Sequence, residues 1–364
     1  MKICFVGNFT LNSGWVQHLY QYSRNSREIG VDMKFAGFID NRIKRYFRTE
    51  SKPERMREEH LKGKWYPIDR NIGKKSDFFV FTFDSSNYLH PINCRVELNS
   101  TLENIRRDRT FIIDADGKYN PRAECFNDTN HETMESYLSW QETFNSLSEF
   151  ILQPSVNAGF GAKPFIFWTY YEQAIKPDVD LDIVYVGSNW FRQERVEEFF
   201  RGLSGLRKLY PRVSIIGRNW LNKDPHLTDE ANKINGRFFL DNLIEVIERE
   251  EGSYEYLKNV GRARFSPILI RPILSYMKMF TPRMLETFAS GTTPILPNYF
   301  DYAEALYGPE AEELRLGDDP EKKLRDMAEN EPRYIAIANR IRDKLRREHS
   351  FQINRLINII KQHQ

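Results

Sequence analysis

The sequence predicts an α/β protein built from two Rossmann-like domains that face each other across a cleft. Three stretches carry that expectation. KICFVGNFTLNSG, at the start, runs an apolar strand into a glycine-bearing loop and then a helix, the usual opening of an open parallel sheet. DLDIVYVGSNWFRQER begins a second cycle of strand, glycine turn and helix. FTPRMLETFASGTTPILPN, residues 280–298, joins a capped helix to a short buried strand.

In order, Lys2 to Val6 reads as a strand. The loop after it carries only Gly7 and Gly14, so it is neither a GxGxxG fingerprint nor a P-loop. A loop at the carboxyl end of a first strand can still line a ligand crevice, which makes Gly14 a candidate donor-binding residue. Val16 to Ser23 follows as a helix and Met33 to Ile39 as the next strand. Asp40 to Lys75 is strongly charged and reads as solvated helix and loop. Phe78 to Phe83, FFVFTF, is a buried strand, and Thr110 to Ile113 is another, ending in DADG.

Asp114 and Asp116 admit three readings. Asp and Gly favour a strand-ending turn for backbone reasons. A DxD after a strand can hold Mg²⁺ or Mn²⁺ on a nucleotide diphosphate, as in a metal-dependent GT-A transferase. One of the carboxylates can instead face an acceptor without metal. Residues 120–150 read as loop then helix, and Phe150 to Gln153 and Phe165 to Trp168 as short strands. Ala174 to Asp182 is polar with a proline and marks a hinge, so the first domain spans 1–175.

The second cycle has a strand at Ile183 to Val186, a GSNW turn and a helix from Arg192 to Leu203. Val213 to Ile216 is a strand closed by Gly217, Arg218 and Asn219; Asp241 to Arg249 reads as helix, and GRARFSPILI as a loop entering a strand. In the stretch that follows, the Thr281 hydroxyl can cap a helix starting at Pro282, with Gly291 ending it in left-handed conformation. At about 100° per residue, Met284, Leu285 and Phe288 share the core side, and Arg283, Glu286 and Ser290 the open side. Two readings follow: the helix start holds a diphosphate with Glu286 at the ribose hydroxyls, or this is an ordinary surface helix with a solvated glutamate. Ile295-Leu296 reads as the closing strand. The second domain spans 176–345; residues 346–364 form an apolar-faced helix that packs back towards the first domain or serves a dimer interface, so monomer and homodimer both stand.

Composition bounds the partners. Of 364 residues, 40% are hydrophobic and 14% aromatic, and 53 basic against 51 acidic side chains leave a net charge of +2. No overall basic excess advertises nucleic acid. Cys4, Cys94 and Cys125 are too scattered for a disulfide framework or zinc site, which points to a reducing, cytoplasmic location. No signal peptide is read at the start, and no run approaches the roughly 20 apolar residues of a membrane span.

With that architecture the chain resembles GT-B glycosyltransferases of the group-1 and CgeB-like branch. The resemblance rests on the opening stretch, on DLDIVYVGSNWFRQER, and most specifically on RFSPILIRPILSYMKMFTPRMLETFASGTTPILPN. It implies a C-terminal domain that binds a nucleotide-diphosphate-sugar donor, with UDP as the expected carrier, and an N-terminal domain that supplies the acceptor surface. It implies no cofactor beyond that co-substrate and no metal. Glu286 matches the second glutamate of the family's E-x7-E pattern, which holds the donor ribose; the first falls at Lys278, a departure at the position that faces the reacting carbon. Thr281, Pro282 and Arg283 match the turn that approaches the diphosphate, and Gly187 and Arg192 the start of the donor domain.

The chemistry agrees with those residue types. Departure of a nucleotide diphosphate leaves negative charge that guanidinium groups and helix N–H donors stabilise without a metal. Arg192, Arg218 and Arg271 are candidates beside Gly187 and Gly217, and His18, Asp114 and Asp116 are the candidate catalytic groups for activating an acceptor hydroxyl. The acceptor, whether saccharide, lipid-linked sugar, protein or modified nucleic acid, is not written in the sequence. The alternatives are a non-catalytic nucleotide-sugar-binding protein, which Lys278 motivates, and a nucleotide-sugar epimerase on the same scaffold.

Overall fold

The computed structural model describes residues 1–9, 15–40, 63–66, 76–83, 105–117, 119, 134–159, 161–172, 177–223, 233–249 and 253–363. Its contacts divide the chain into two compact units, Met1–Thr169 with Phe351–Gln364, and Tyr170–Ser350.

The first unit runs β1 (Lys2–Phe9), α1 (Trp15–Glu28), β2 (Asp32–Asp40), β3 (Gly63–Tyr66), β4 (Phe78–Phe83), β5 (Thr110–Asp114), α2 (Met134–Leu147), β6 (Phe150–Gln153) and β7 (Lys163–Pro164). The strands order β3-β2-β1-β4-β5-β6-β7, and only β3 is antiparallel to its neighbour. Parallel strands covered on both faces must be apolar throughout, which is why FFVFTF and TFII read as unbroken runs. Their side chains close a core of Cys4, Val6, Phe79, Phe81, Ile112, Phe144, Leu147 and Ile151. Cys4 is a buried free thiol pushed up to about 12 by burial; Cys94 and Cys125 lie outside the described residues.

Three expectations change here. α1 runs on to Glu28, past Ser23, with Ser26 buried on its inner face and its hydroxyl donating to the Ser23 carbonyl at 2.9 Å. Most of the charged region 40–75 lies outside the described residues, but Gly63–Tyr66 within it is a strand on β2 rather than helix or loop. Phe165 to Trp168 is not a strand: after the Phe165 N–H donates to Gln153 O the chain leaves the sheet, and Phe167 stacks on Tyr22 at 4.7 Å.

The second unit continues with β8 (Leu181–Val186), α3 (Gln193–Arg201), β9 (Val213–Gly217), α4 (Gly236–Asp241), β10 (Glu245–Glu248), α5 (Ser253–Val260), β11 (Ala263–Pro267), α6 (Pro272–Tyr276), α7 (Pro282–Ala289), β12 (Thr293–Ile295), α8 (Ala303–Tyr307), α9 (Pro320–Glu329) and α10 (Glu331–His349). Its sheet is wholly parallel, in the order β10-β9-β8-β11-β12. The last helix, α11 (Gln352–Gln362), belongs with the first unit, where it packs on α1 and buries Ile353, Leu356, Ile357 and Ile360.

The helix expected from Asp241 to Arg249 is instead the end of α4 followed by β10. Leu243, Ile244, Val246 and Ile247 satisfy helical and extended spacing alike. Leu243 takes φ 54, which breaks the helix, and the β-branched pair then runs beside Ile215 and Ile216 of β9. The closing strand sits slightly earlier than Ile295-Leu296, with Leu296 outside it in a single bridge to Arg315.

Candidate functional site

In the second unit the chain passes from β8 outward through β9 and β10, then returns to place β11 on the other side of β8. Open parallel sheets receive ligands at that switch point, beyond the carboxyl ends of the strands. β8 ends at Gly187, with φ 149, whose carbonyl accepts the Trp220 indole N–H at 2.7 Å. A Cβ on Gly187 would collide with the Arg283 guanidinium, and one on Gly217 with the Gly187 carbonyl. Both glycines are therefore needed for close approach: Gly217 lets β9 meet the turn, and Gly187 lets an arginine lie across the end of β8.

Four arginines gather there. Arg283, in the first turn of α7, donates through Nη1 to the Tyr185 hydroxyl at 2.9 Å and to Leu269 O at 3.1 Å, with its guanidinium 5.4 Å from the rings of both Tyr185 and Tyr256. Arg192 donates to Ser188 O at 2.8 Å, while its buried Nε has no hydrogen-bond partner. Arg271 lies 4.6 Å over the Trp190 ring, whose own Nε1 is buried without a partner. Arg195 sits 3.5 Å over Tyr299 and donates to Ser275 Oγ at 2.8 Å, leaving Nη1 buried and unpaired.

Burial first, then the charges of Arg283 and Arg271, push the Arg192 guanidinium down to about 10. The hydroxyls of Tyr185 and Tyr299 pull the other way. Like charges held together on half-buried side chains, with buried N–H donors left unsatisfied, make a site complementary to a multivalent anion.

α7 presents its two ends differently. At its carboxyl end Arg342 donates through Nε to Phe288 O at 2.7 Å and through Nη2 to Thr292 O at 3.3 Å, so a buried cation satisfies the terminal carbonyls. At its start the expected cap is missing. Thr281 has the extended backbone of a cap residue, but its buried Oγ1 has no partner, and its N–H points at Met284 Sδ, 3.4 Å away. Of the two roles expected of Thr281, the side-chain cap is not made through its hydroxyl, and the Oγ1 is left without a partner at the helix start.

Glu286 departs from expectation in the opposite sense. It was placed on an open face, yet it is only 6% exposed, because every residue from Met284 to Ser290 is buried. The Tyr171 hydroxyl donates to its Oε1 at 2.8 Å. Burial pushes the carboxyl up to about 7, against the opposing pull of that hydrogen bond and of Arg283. Lys278 takes φ 51 and pairs with Asp301 at 3.0 Å.

The crevice thus brings together Arg192, Arg271, Thr281, Pro282, Arg283 and Glu286, over Gly187 and Gly217. Arg218 is exposed on the loop after β9, where its carbonyl accepts the Asn189 N–H at 2.9 Å. Gly14 lies outside the described residues. Trp190, Arg195, Tyr171, Tyr185, Tyr256 and Tyr299 were not anticipated. Arg195 had a signal, standing one helical turn after Arg192; the tyrosines had none, since an aromatic in a buried strand or helix reads as packing.

The three remaining candidates belong to the first unit. His18 is fully buried on α1: its Nδ1 accepts the Thr169 N–H at 3.1 Å, its ring packs 5.2 Å from Trp168, and burial pushes it down to about 3. It is a neutral packing residue at physiological pH, not an accessible base. Asp114, at the carboxyl end of β5, is also fully buried, and its Oδ2 accepts from the Tyr119 N–H and Gln153 Nε2, both at 2.8 Å. Asp116 is half-buried in the turn just beyond.

No protein-family model matches the chain, and no curated protein matches it by sequence. Solved structures do match along its whole length. An α-glucosyltransferase in complex with UDP and a 13-mer DNA containing a central A:G mismatch aligns with 99% of this chain and 100% of its own, at TM-score 0.59 and 13% identity. The fold is that of the GT-B glycosyltransferases. T4 phage BGT in complex with UDP-glucose aligns over 99% of both chains at TM-score 0.57 and 11% identity. The E. coli trehalose-6-phosphate synthase bound with UDP-2-fluoro glucose aligns over 100% of this chain and 99% of its own, at TM-score 0.59 and 10% identity.

Proposed function

We propose that this GT-B protein is a glycosyltransferase that takes a sugar from a nucleotide-diphosphate-sugar, most simply a UDP-sugar, and passes it to an acceptor. The observation that carries the reading is the crevice at β8 and β11, where Arg192, Arg195, Arg271 and Arg283 converge and Trp190 Nε1, Arg192 Nε, Arg195 Nη1 and Thr281 Oγ1 are buried without partners. A diphosphate supplies both the charge and the acceptor oxygens that set lacks. The GT-B structures bound to UDP and UDP-sugars support the same class of ligand.

In the reaction, the bond between the sugar's anomeric carbon and the diphosphate breaks, and charge builds on the departing oxygen. Guanidinium groups already fixed around it by Tyr185, Ser188 and Trp190 stabilise that charge without reorganising. Glu286 receives the ribose hydroxyls. On the first unit, Asp116 is the better candidate to accept the acceptor's proton, since His18 is sealed in the core and Asp114 Oδ2 already holds two donors. Within the fold we place the chain in the group-1 and CgeB-like branch, on the stretch from Arg264 to Asn298.

A second reading, a non-catalytic nucleotide-sugar-binding protein, draws on Lys278, whose ammonium is paired with Asp301 where the branch carries a carboxylate. Incubation of the purified protein with a panel of UDP-, GDP-, ADP- and dTDP-sugars separates the two. Transfer or slow donor hydrolysis is expected with at least one. Saturable binding without any release of nucleoside diphosphate would establish the binding protein instead.

A further inference from the structure

The ribose-facing carboxylate does not stand alone. Tyr171, only 9% exposed, donates its hydroxyl to Glu286 Oε1 at 2.8 Å across 115 residues of sequence. It sits on a short segment held from both sides: the Tyr170 N–H donates to His349 O at 2.8 Å, and Glu172 accepts from the Tyr170 hydroxyl at 2.6 Å and from Arg346 at 2.5 Å. His349 and Arg346 both lie in the last turn of α10, so the Tyr171 backbone is fixed on either side of the residue that reaches the site. The helix carrying Glu286 is tied to that same α10 through Arg342 and Phe288. Donor and acceptor of the Tyr171–Glu286 bond are therefore both referred to one rigid helix.

A carboxylate that must receive a diol needs a fixed orientation, and its nearest competitor is on its own helix. Arg283, one turn earlier, pulls on the Glu286 carboxylate, and Tyr256 of α5 senses its charge as well. A carboxylate left to rotate would turn toward that guanidinium, which the diphosphate requires. We infer that Tyr171 is a positioning residue of the donor site: its hydroxyl fixes the Glu286 carboxylate in the orientation that receives the donor's ribose hydroxyls. The inference rests on the reading of the crevice as a nucleotide-sugar site and adds to it the group that gives the site its preference for ribose.

Tyr171→Phe, Glu286→Ala and the unaltered protein distinguish the possibilities by isothermal titration with UDP, 2′,3′-dideoxy-UDP and inorganic pyrophosphate. The unaltered protein is expected to prefer UDP over the dideoxy analogue by about tenfold, the worth of a hydrogen bond to a charged group. Tyr171→Phe should bring that ratio below threefold while pyrophosphate binds within twofold of normal. Structural damage would weaken all three ligands together. A tenfold ratio retained in Tyr171→Phe but lost in Glu286→Ala would overturn the role of Tyr171 and leave the site intact. Equal weakening of all three ligands in Tyr171→Phe would also overturn it. Failure of the unaltered protein to bind UDP would overturn the underlying reading, and this inference with it.

Discussion

The carboxyl ends of the two parallel sheets carry charge in opposite conditions. At β5, in the first unit, the Asp114 carboxylate is fully buried with Oδ2 taken up by the Tyr119 N–H and Gln153. At β8 and β11, in the second, the arginines lie against one another and against tyrosine hydroxyls, with buried N–H groups still unpaired. A buried carboxyl with its partners in place holds a loop; half-buried guanidiniums whose inner N–H groups lack partners suit a ligand, as proposed above. Burial alone does not mark a site. The difference is whether the buried polar atoms already have their partners.

That contrast can be broken by mutation. The largest effect is expected for Arg283→Ala, which removes the guanidinium fixed by Tyr185 and Leu269. Loss of one preorganised donor at developing charge costs about 10²–10³ in rate, so kcat/KM for the donor should fall about a hundredfold or more, while the partners left behind at Tyr185 and Leu269 lower the stability of the unliganded protein by only about 1–3 kcal/mol. Steady-state donor kinetics beside a melting curve measures both.

Glu286→Gln reads the strain in the same crevice. Burial raises this carboxyl from 4.5 to about 7 in the folded protein, so the folded state binds the proton more tightly than the unfolded chain. Stability is then full below about pH 4.5 and declines as pH rises towards 7, by on the order of 3 kcal/mol. Glutamine should abolish that slope and leave the apo protein more stable at pH 8, as denaturant melts across pH will show, while UDP binds more weakly. An unchanged slope would mean that Glu286 ionises in the fold as easily as in the open chain.

Asp114→Ala is the converse test. Leaving Tyr119 N–H and Gln153 without their acceptor should cost about 1–3 kcal/mol of stability, yet UDP affinity should stay within twofold, because Asp114 belongs to the first unit and the crevice to the second. The smallest effect is expected from Trp190→Phe, which keeps a ring under Arg271 but removes the unpaired indole N–H. A single neutral hydrogen bond predicts a loss of about threefold to tenfold in UDP affinity. No loss would assign Trp190 to packing alone.

The alternation of apolar runs with helical periods was enough to place most strands and both halves of the fold, because a parallel sheet demands continuous apolar strands. It failed where one pattern fits two structures: Leu243 to Ile247 reads equally as helix or strand until β9 is known to lie beside it. The donor stretch was legible in its glycines, arginines and Glu286, whose types suit phosphate and ribose. Glu286 was misplaced on an open face, because what covers it is Tyr171, and contacts over such a span leave no local trace. Thr281 was expected both to cap the helix and to bind the donor, and sequence could not tell that its hydroxyl makes no cap hydrogen bond. His18 shows the limit from the other side, since a histidine on an amphipathic helix gives no sign of being fully enclosed.

The central claim is that the arginine crevice of the second unit is the nucleoside-diphosphate site, and one measurement addresses it directly. Melting temperatures of the unaltered protein and of Arg283→Ala are compared with uridine, UMP and UDP at equal, saturating concentration. A ligand present at about a hundred times its Kd stabilises by about 2.7 kcal/mol, so the shift should grow from uridine through UMP to UDP and largely vanish for UDP in Arg283→Ala. A UDP shift no larger than that of uridine, or one undiminished in Arg283→Ala, would contradict it.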